Sequence, residues 1–197
     1  MEQRHYRPLT PYEVYCDMPE DERCELINGK IVMMGTPNTD HADICGDIFN
    51  QIYNYLRGKR CRVYMEHGLR FEEGEPVNNA LRPDIMVVCD PSKIRSDSVV
   101  GAPDFIIEVI SPSNSKRDTS EKLDIYMKAG VQEYWIIDPV LRTVHIHRQG
   151  DAYSSAIAYI YSDRIPVTVL DDFSIDMTTV FPPVQTKEQL SGDTVNP

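Results

Sequence analysis

At 197 residues the chain is long enough to bury one substantial core and short for two. Its formal charge of −11 excludes polyanion binding through the whole surface and leaves only a local basic groove for that purpose. Five cysteines, an odd number with no C-x-x-C pair, argue against a cysteine zinc site and a disulfide framework, so Cys16, Cys24, Cys45, Cys61 and Cys89 read as buried or free thiols in a reducing cytosol.

The first residues, MEQRHYRPLTPYE, hold no apolar signal core, and no stretch approaches the length of a membrane span; a cytoplasmic protein without membrane contact is expected. Thr10, Pro11 and Glu13 fit the N-cap, first-turn proline and reaching-back acid of a capping box, which places a short helix at 10–17. In RCELINGKIVMM, Asn28-Gly29 stands between two apolar arms and supplies the positive φ that a tight hairpin turn needs at both central positions. Ile44, Ile48, Ile52 and Leu56 recur every four residues and predict a long helix stopped by Gly58.

Residues 61–71 and 81–89 read as strands joined by the polar link EEGEPVNNA. PSKIRSDSVVGAP reads as a long loop, and its Lys93 and Arg95 suit either a substrate-side flap or plain solvation. Then come a strand at 104–110, a helix at 115–129 closed by Gly130, the strand VQEYWIID, and a half-exposed antiparallel strand in which Val144 and Ile146 alternate with His145 and His147. Trp135 and Tyr134 fall in a core strand and read as packing residues. Short strands at 155–162 and 165–170 close a single domain, 1–181, and the polar, proline-bearing 182–197 reads as a flexible tail. Between the hairpin and the C-terminal strands the order is helix, strand, strand, strand, helix, strand. That order predicts an α/β fold with an αβββαβ core, a mixed sheet covered by helices on both faces.

Two acids lie inside strands that are otherwise apolar: Asp84 ahead of IMVV and Glu108 within FIIEVI. A buried carboxylate needs a partner, and Arg82 or a nearby lysine is the simplest one. The period of two puts Glu108 on one face with Ile106 and Ile110, and Phe105, Ile107 and Val109 on the other. Were the two strands neighbours, both carboxylates would meet at one end, raise each other's pKa and suit a hard ion, magnesium first and manganese second. Asp118, Lys122 and Tyr126 share a helix face. Lys122 is the lysine to aim at such a site, with Lys116 as runner-up and Lys128 directed to solvent; a surface pair with Asp118 is its ordinary alternative.

RPDIMVV, PDFIIEVISPSN, the Asp118, Lys122 and Tyr126 spacing and AGVQEYWIIDP together resemble the Uma-two family, described as endonucleases, within the restriction-endonuclease-like PD-(D/E)xK superfamily. The resemblance takes in ELINGKIVMM and the helix near His41, roughly residues 10–180. It implies a restriction-endonuclease-like fold, a metal held by Asp84 and Glu108, and a main-chain carbonyl near Val109 completing the ligand set. The superfamily lysine stands two residues after the acid, where this chain has Ile110; the family moves it to the next helix, which makes it Lys122. Glu25 and His41 fall at recurrent family positions, and both read as hydrogen-bonded structural residues.

The expected function is magnesium-dependent or manganese-dependent hydrolysis of a nucleic-acid phosphodiester, of DNA before RNA, with catalytic Asp84, Glu108 and Lys122. Two other readings stand beside it: an inactive nuclease-fold module that binds nucleic acid or protein, and a phosphoesterase for small nucleotides. A twofold homodimer is expected on general grounds.

Overall fold

Thr10 starts the first regular element. In the computed structural model, which describes residues 7–19, 21–71, 76–110, 116–150 and 157–181, with residues 116–119 through their backbone alone, helix α1 spans Pro11–Cys16. The Thr10 hydroxyl accepts the Glu13 amide, and the Glu13 carboxylate accepts the Thr10 amide in return, a complete capping box. Strands β1 (Cys24–Ile27) and β2 (Lys30–Met33) pair antiparallel across Asn28 and Gly29, whose φ values of 49° and 75° are the two positive angles the hairpin requires. Helix α2 (Thr39–Leu56) is capped by the Asn38 side chain and buries Ile44, Ile48, Ile52 and Leu56 along one stripe.

The next segment corrects the expectation of one strand at 61–71. It divides into β3 (Arg62–Met65) and β4 (Gly68–Arg70), which join different sheets, and Glu66 at φ 47° turns the chain between them. The stretch 81–89 divides likewise into β5 (Ala80–Leu81) and β6 (Ile85–Val88), because Pro83 has no amide to extend the ladder. PSKIRSDSVVGAP is no plain loop: it holds a 3-10 turn at Pro91–Lys93 and strand β7 (Ser98–Val100), which runs parallel to β4. Strand β8 (Phe105–Val109), helix α3 (Lys116–Ala129), β9 (Glu133–Asp138) and β10 (Thr143–Arg148) follow as the patterning predicts. Strand β11 (Ile157–Ile160) then pairs with β10. The expected strand at 165–170 is shorter and earlier, β12 (Arg164–Pro166), and pairs with a strand the sequence did not suggest, β13 (Ser174–Asp176). The expected tail, 182–197, lies outside the described residues.

A six-stranded sheet in the order β11-β10-β9-β8-β6-β3 carries the αβββαβ core, built from α2, β3, β6, β8, α3 and β9. Only β8 and β9 are parallel within it, and α3 makes the crossover that a parallel pair needs. The face toward α2 packs Ile44, Ile48 and Ile52 against Phe105, Ile107, Trp135 and Ile137; the other packs Ile125 and Tyr126 of α3 against Ile106, Met86 and Tyr134. Trp135 and Tyr134 are wholly buried, as packing residues should be. A five-stranded sheet, β2-β1-β5-β4-β7, supplies a second layer that the sequence did not reveal. Among the described residues no helix is long and apolar enough to cross a membrane.

The cysteine expectation is also corrected. Arg62 pairs with Val88 across β3 and β6, and the next residues outward, Cys61 and Cys89, form a disulfide with Cα atoms 4.0 Å apart. Sequence spacing hid it because the register of two strands, not local pattern, brings the sulfurs together. The bridge closes a 28-residue separation. Cys61→Ser is expected to lower stability by about 2–4 kcal/mol under oxidising conditions and by little in reductant. Urea titration with and without reductant checks this, and coincident midpoints would show that the thiols are unbonded in solution.

Candidate active site

The register that pairs Ile85 with Ile107 and Met86 with Ile106 brings Asp84 opposite Glu108 at one end of the β6 and β8 ladder. Asp84 follows Pro83, so its side chain enters where main-chain pairing stops. Its Oδ2 accepts the Val109 amide at 2.7 Å and lies 3.2 Å from His41 Nε2, at the start of α2. Helix α2 is thereby tied to the sheet end through a carboxylate. On its other ring nitrogen His41 faces the Cys45 sulfur at 3.7 Å.

Glu108 projects toward α3. Its Oε1 accepts Lys122 Nζ at 2.9 Å and the Tyr126 hydroxyl at 2.8 Å, donors one helical turn apart on the same face. Lys122 Nζ also lies 3.0 Å from Oε1 of Glu25 in β1, and the same oxygen accepts the main-chain amide of Arg82 at 2.8 Å. Lys122 therefore bridges acids from two sheets. The five ionisable residues, Glu25, His41, Asp84, Glu108 and Lys122, retain only 3–6% of their exposure.

Three carboxylates thus share one buried space with one lysine and one histidine. Burial pushes Glu108 up to about 7; Lys122 opposes that shift, and the charges of Asp84 and Glu25 add to it. Burial alone would make Lys122 less basic, but Glu108 and Glu25 outweigh it and hold the ammonium charged. For His41, burial is likewise overcome by the bond to Asp84, and the imidazole is more basic than usual. The Cys45 thiol is pushed up by burial and then by the neighbouring acids, so it is an inert thiol.

Glu133 shows how a purely structural buried acid differs. Its Oε1 takes the Trp135 indole N–H at 2.6 Å, its Oε2 takes the amide and hydroxyl of Thr168, and Arg148 Nε lies 3.6 Å from Oε2, so both oxygens are satisfied and tie the C-terminal segment to β9. Glu108 instead receives a lysine and a tyrosine on one oxygen and faces two further acids. An excess of carboxylate oxygen in a buried space is the donor set that suits a hard divalent ion.

The structure brings Asp84, Glu108 and Lys122 together. Val109 meets Asp84 through its amide. Lys122 is no surface residue, and Lys128 is exposed as expected. The side chains of Lys116 and Asp118 lie outside the described residues. Lys93 and Arg95 form no flap over the site: Lys93 Nζ donates to the Ala102 carbonyl and Arg95 to that of Ser92. Arg82 does not neutralise the acids through its guanidinium; its main-chain amide is what reaches Glu25. Glu25, His41 and Tyr126 touch the central residues directly, more closely than the sequence reading placed them. Glu25 carries the signal that singled out Glu108, an acid within a wholly buried strand, Cys24–Ile27.

A mixed sheet with an αβββαβ core and acids opposed at one end of two adjacent strands defines a restriction-endonuclease-like fold. A crystal structure described as "a putative nuclease belonging to DUF820" from Anabaena variabilis superposes with a TM-score of 0.73 at 23% identity, covering 88% of this chain and 98% of that one. Residues 9–178 match Uma2, described as "Putative restriction endonuclease", and the chain belongs to that family. It is also 26% identical over 175 residues to the uncharacterized protein slr1290 of Synechocystis sp., covering 86% of this chain and 90% of that protein.

Proposed function

We propose that the protein is a metal-dependent nuclease that hydrolyses phosphodiester bonds of nucleic acid, with Asp84, Glu108 and Lys122 as its catalytic residues. The observation that carries this reading is the placement of Asp84 opposite Glu108 at a sheet end, with Lys122 of α3 held between Glu108 and Glu25. The ion that this oxygen set suits is magnesium, then manganese; bound by Asp84 and Glu108, with a carbonyl near Val109, it supplies positive charge to the scissile phosphate and acidity to a water.

The chain's own groups do the rest. The Val109 amide and His41 fix the Asp84 carboxylate from one side. Tyr126 fixes Glu108 through Oε1, which orients its second oxygen. The Lys122 ammonium orients the attacking water and offsets charge that builds on the phosphoryl oxygens. A twofold dimer belongs to the same proposal, since it would present two such centres; sedimentation velocity tests it.

With magnesium or manganese, the folded protein is expected to cut labelled single-stranded DNA, duplex DNA or RNA. Asp84→Asn and Glu108→Gln should each lower the rate at least about a thousandfold, each removing charge at the reacting phosphate. A folded wild type that cuts none of the three, or an Asp84→Asn variant with full activity, would overturn the reading.

A further inference from the structure

The chain carries 31 acids in 197 residues, yet none between Asp47 and Glu66. That interval holds Arg57, Lys59, Arg60 and Arg62, four cations in six residues, all exposed at the turn from α2 into β3. Among the described residues none of the four forms an ion pair; Lys59 Nζ instead sits over the Tyr55 ring at 3.1 Å from its centroid. Asp90 is the acid that faces Arg60 across the neighbouring loop. In a protein of net charge −11, solvated cations would be expected to seek acids, yet Asp90 approaches Arg60 without an ion pair between them.

Three further features make this more than a charged turn. The Cys61 to Cys89 disulfide pins the segment to the sheet, so the cations sit on a fixed base. Beside them opens a cavity of about 230 Å³ whose wall includes Arg57, Arg62, Cys61 and Tyr53. Tyr53 is 53% exposed, and its ring stacks on Phe49 at 5.8 Å, which holds it ready to take a flat group on its open side. A cationic track with a prepared aromatic platform is the combination that binds single strands, where phosphates meet the charges and an unstacked base meets the ring.

The direction of the track links it to the active site. Strand β3 is the edge of the six-stranded sheet, and it runs from the basic turn to the end that holds Asp84. Arg62 pairs with Val88, and Asp84 stands four residues before Val88 in β6. At about 3.3 Å per residue the separation is about 13 Å, a span of a few nucleotides of extended single strand.

We propose that Arg57, Lys59, Arg60, Arg62 and Tyr53 form an anchor for single-stranded nucleic acid, which leads along the β3 edge to the Asp84 and Glu108 end. The anchor holds the strand a few nucleotides from the scissile phosphate. The proposal rests on the nuclease reading for its direction, but binding at the anchor requires neither metal nor cleavage.

The test uses the full chain, a fluorescein-labelled 20-nucleotide DNA strand, and anisotropy in EDTA over a salt series. Replacing the four cations together by alanine is expected to weaken binding about thirtyfold or more at low salt. The slope of log K against log salt should flatten by about two to three units, close to 0.7 per lost phosphate contact. Tyr53→Ala should weaken single-strand binding about tenfold and leave duplex binding unchanged. Hydrolysis of bis(p-nitrophenyl) phosphate, too small to reach the turn, should stay within about twofold in both variants, which also certifies the fold. Unchanged affinity and slope in the fourfold variant would overturn the anchor, and so would a duplex bound as tightly and with the same dependence on Tyr53. Asp84→Asn separates the two readings: it should bind the strand like wild type while cutting nothing. Strand binding that requires the four cations, in a protein that never cuts, would leave the anchor standing and remove the nuclease.

Discussion

Replacing Lys122 by methionine is expected to destabilise the protein by about 3–5 kcal/mol at about pH 8, and by much less near pH 5. The ammonium lies 2.9 Å from Glu108 and 3.0 Å from Glu25, and all three side chains are at least nine-tenths buried. Removing the cation leaves two carboxylates facing each other with little solvent. They can respond only by taking up a proton, so the folded-state pKa of Glu108 rises further. A raised carboxyl pKa gives stability that is fully present below the unfolded value and is lost as pH rises through the folded one. Glu108 is already pushed up to about 7 with the lysine in place, so the penalty in the variant must grow from weakly acidic pH upward. Urea titrations across that range read it directly. Glu25→Gln in the Lys122→Met background should recover part of the loss at high pH, because it removes one of the two stranded charges. A penalty independent of pH would mean that lost packing, not unpaired charge, accounts for the effect. On the proposed nuclease reading, cleavage should fall at least about a thousandfold, since Lys122 is the group proposed to orient the attacking water.

How much of this was legible in the chain depends on the range of the contact. The hairpin at Asn28 and Gly29, the buried stripe of α2 and the alternation around Glu108 are local: a turn dipeptide carries the first, and periods of four and two residues carry the others. The turn at Glu66 and the break at Pro83 were lost for the opposite reason. A strand that changes sheets keeps its apolar pattern, and nothing nearby states which sheet it joins. Strand β7, three residues long and parallel to β4, carries too little pattern to show a period. The disulfide belongs to the same class, since Cys61 and Cys89 meet only once β3 and β6 are in register. For the candidate site, Asp84, Glu108 and Lys122 could be named, because acids inside apolar strands and a lysine on the following helix are visible in one dimension. Glu25 needed the second sheet to show where its carboxylate ends, and His41 needed the fold to bring the start of α2 over Asp84.

Between about pH 8 and pH 6 the protein's apparent affinity for Mn²⁺ should fall about tenfold. On the proposed metal-dependent reading Glu108 must be ionised to ligate, and its carboxyl is pushed up to about 7, first by burial and then, against the pull of Lys122, by Asp84 and Glu25. Above that value the ion meets a ready carboxylate; below it each ion must displace a proton, which costs about a factor of ten per pH unit. Calorimetry in two buffers of different ionisation enthalpy separates the two regimes: about one proton released per ion near pH 6, and close to none near pH 8. Glu108→Gln should abolish both the proton release and the pH dependence while leaving weak residual binding at Asp84. Asp84→Asn should lower affinity at every pH and keep a reduced proton release, because burial, the largest cause of the raised Glu108 value, remains while the Asp84 charge is gone. Affinity that stays constant across the range in wild type would mean that Glu108 does not hold the ion, and the divalent site would then have to be sought around Asp84, His41 and Cys45, whose ligand atoms lie within 4.8 Å of one another.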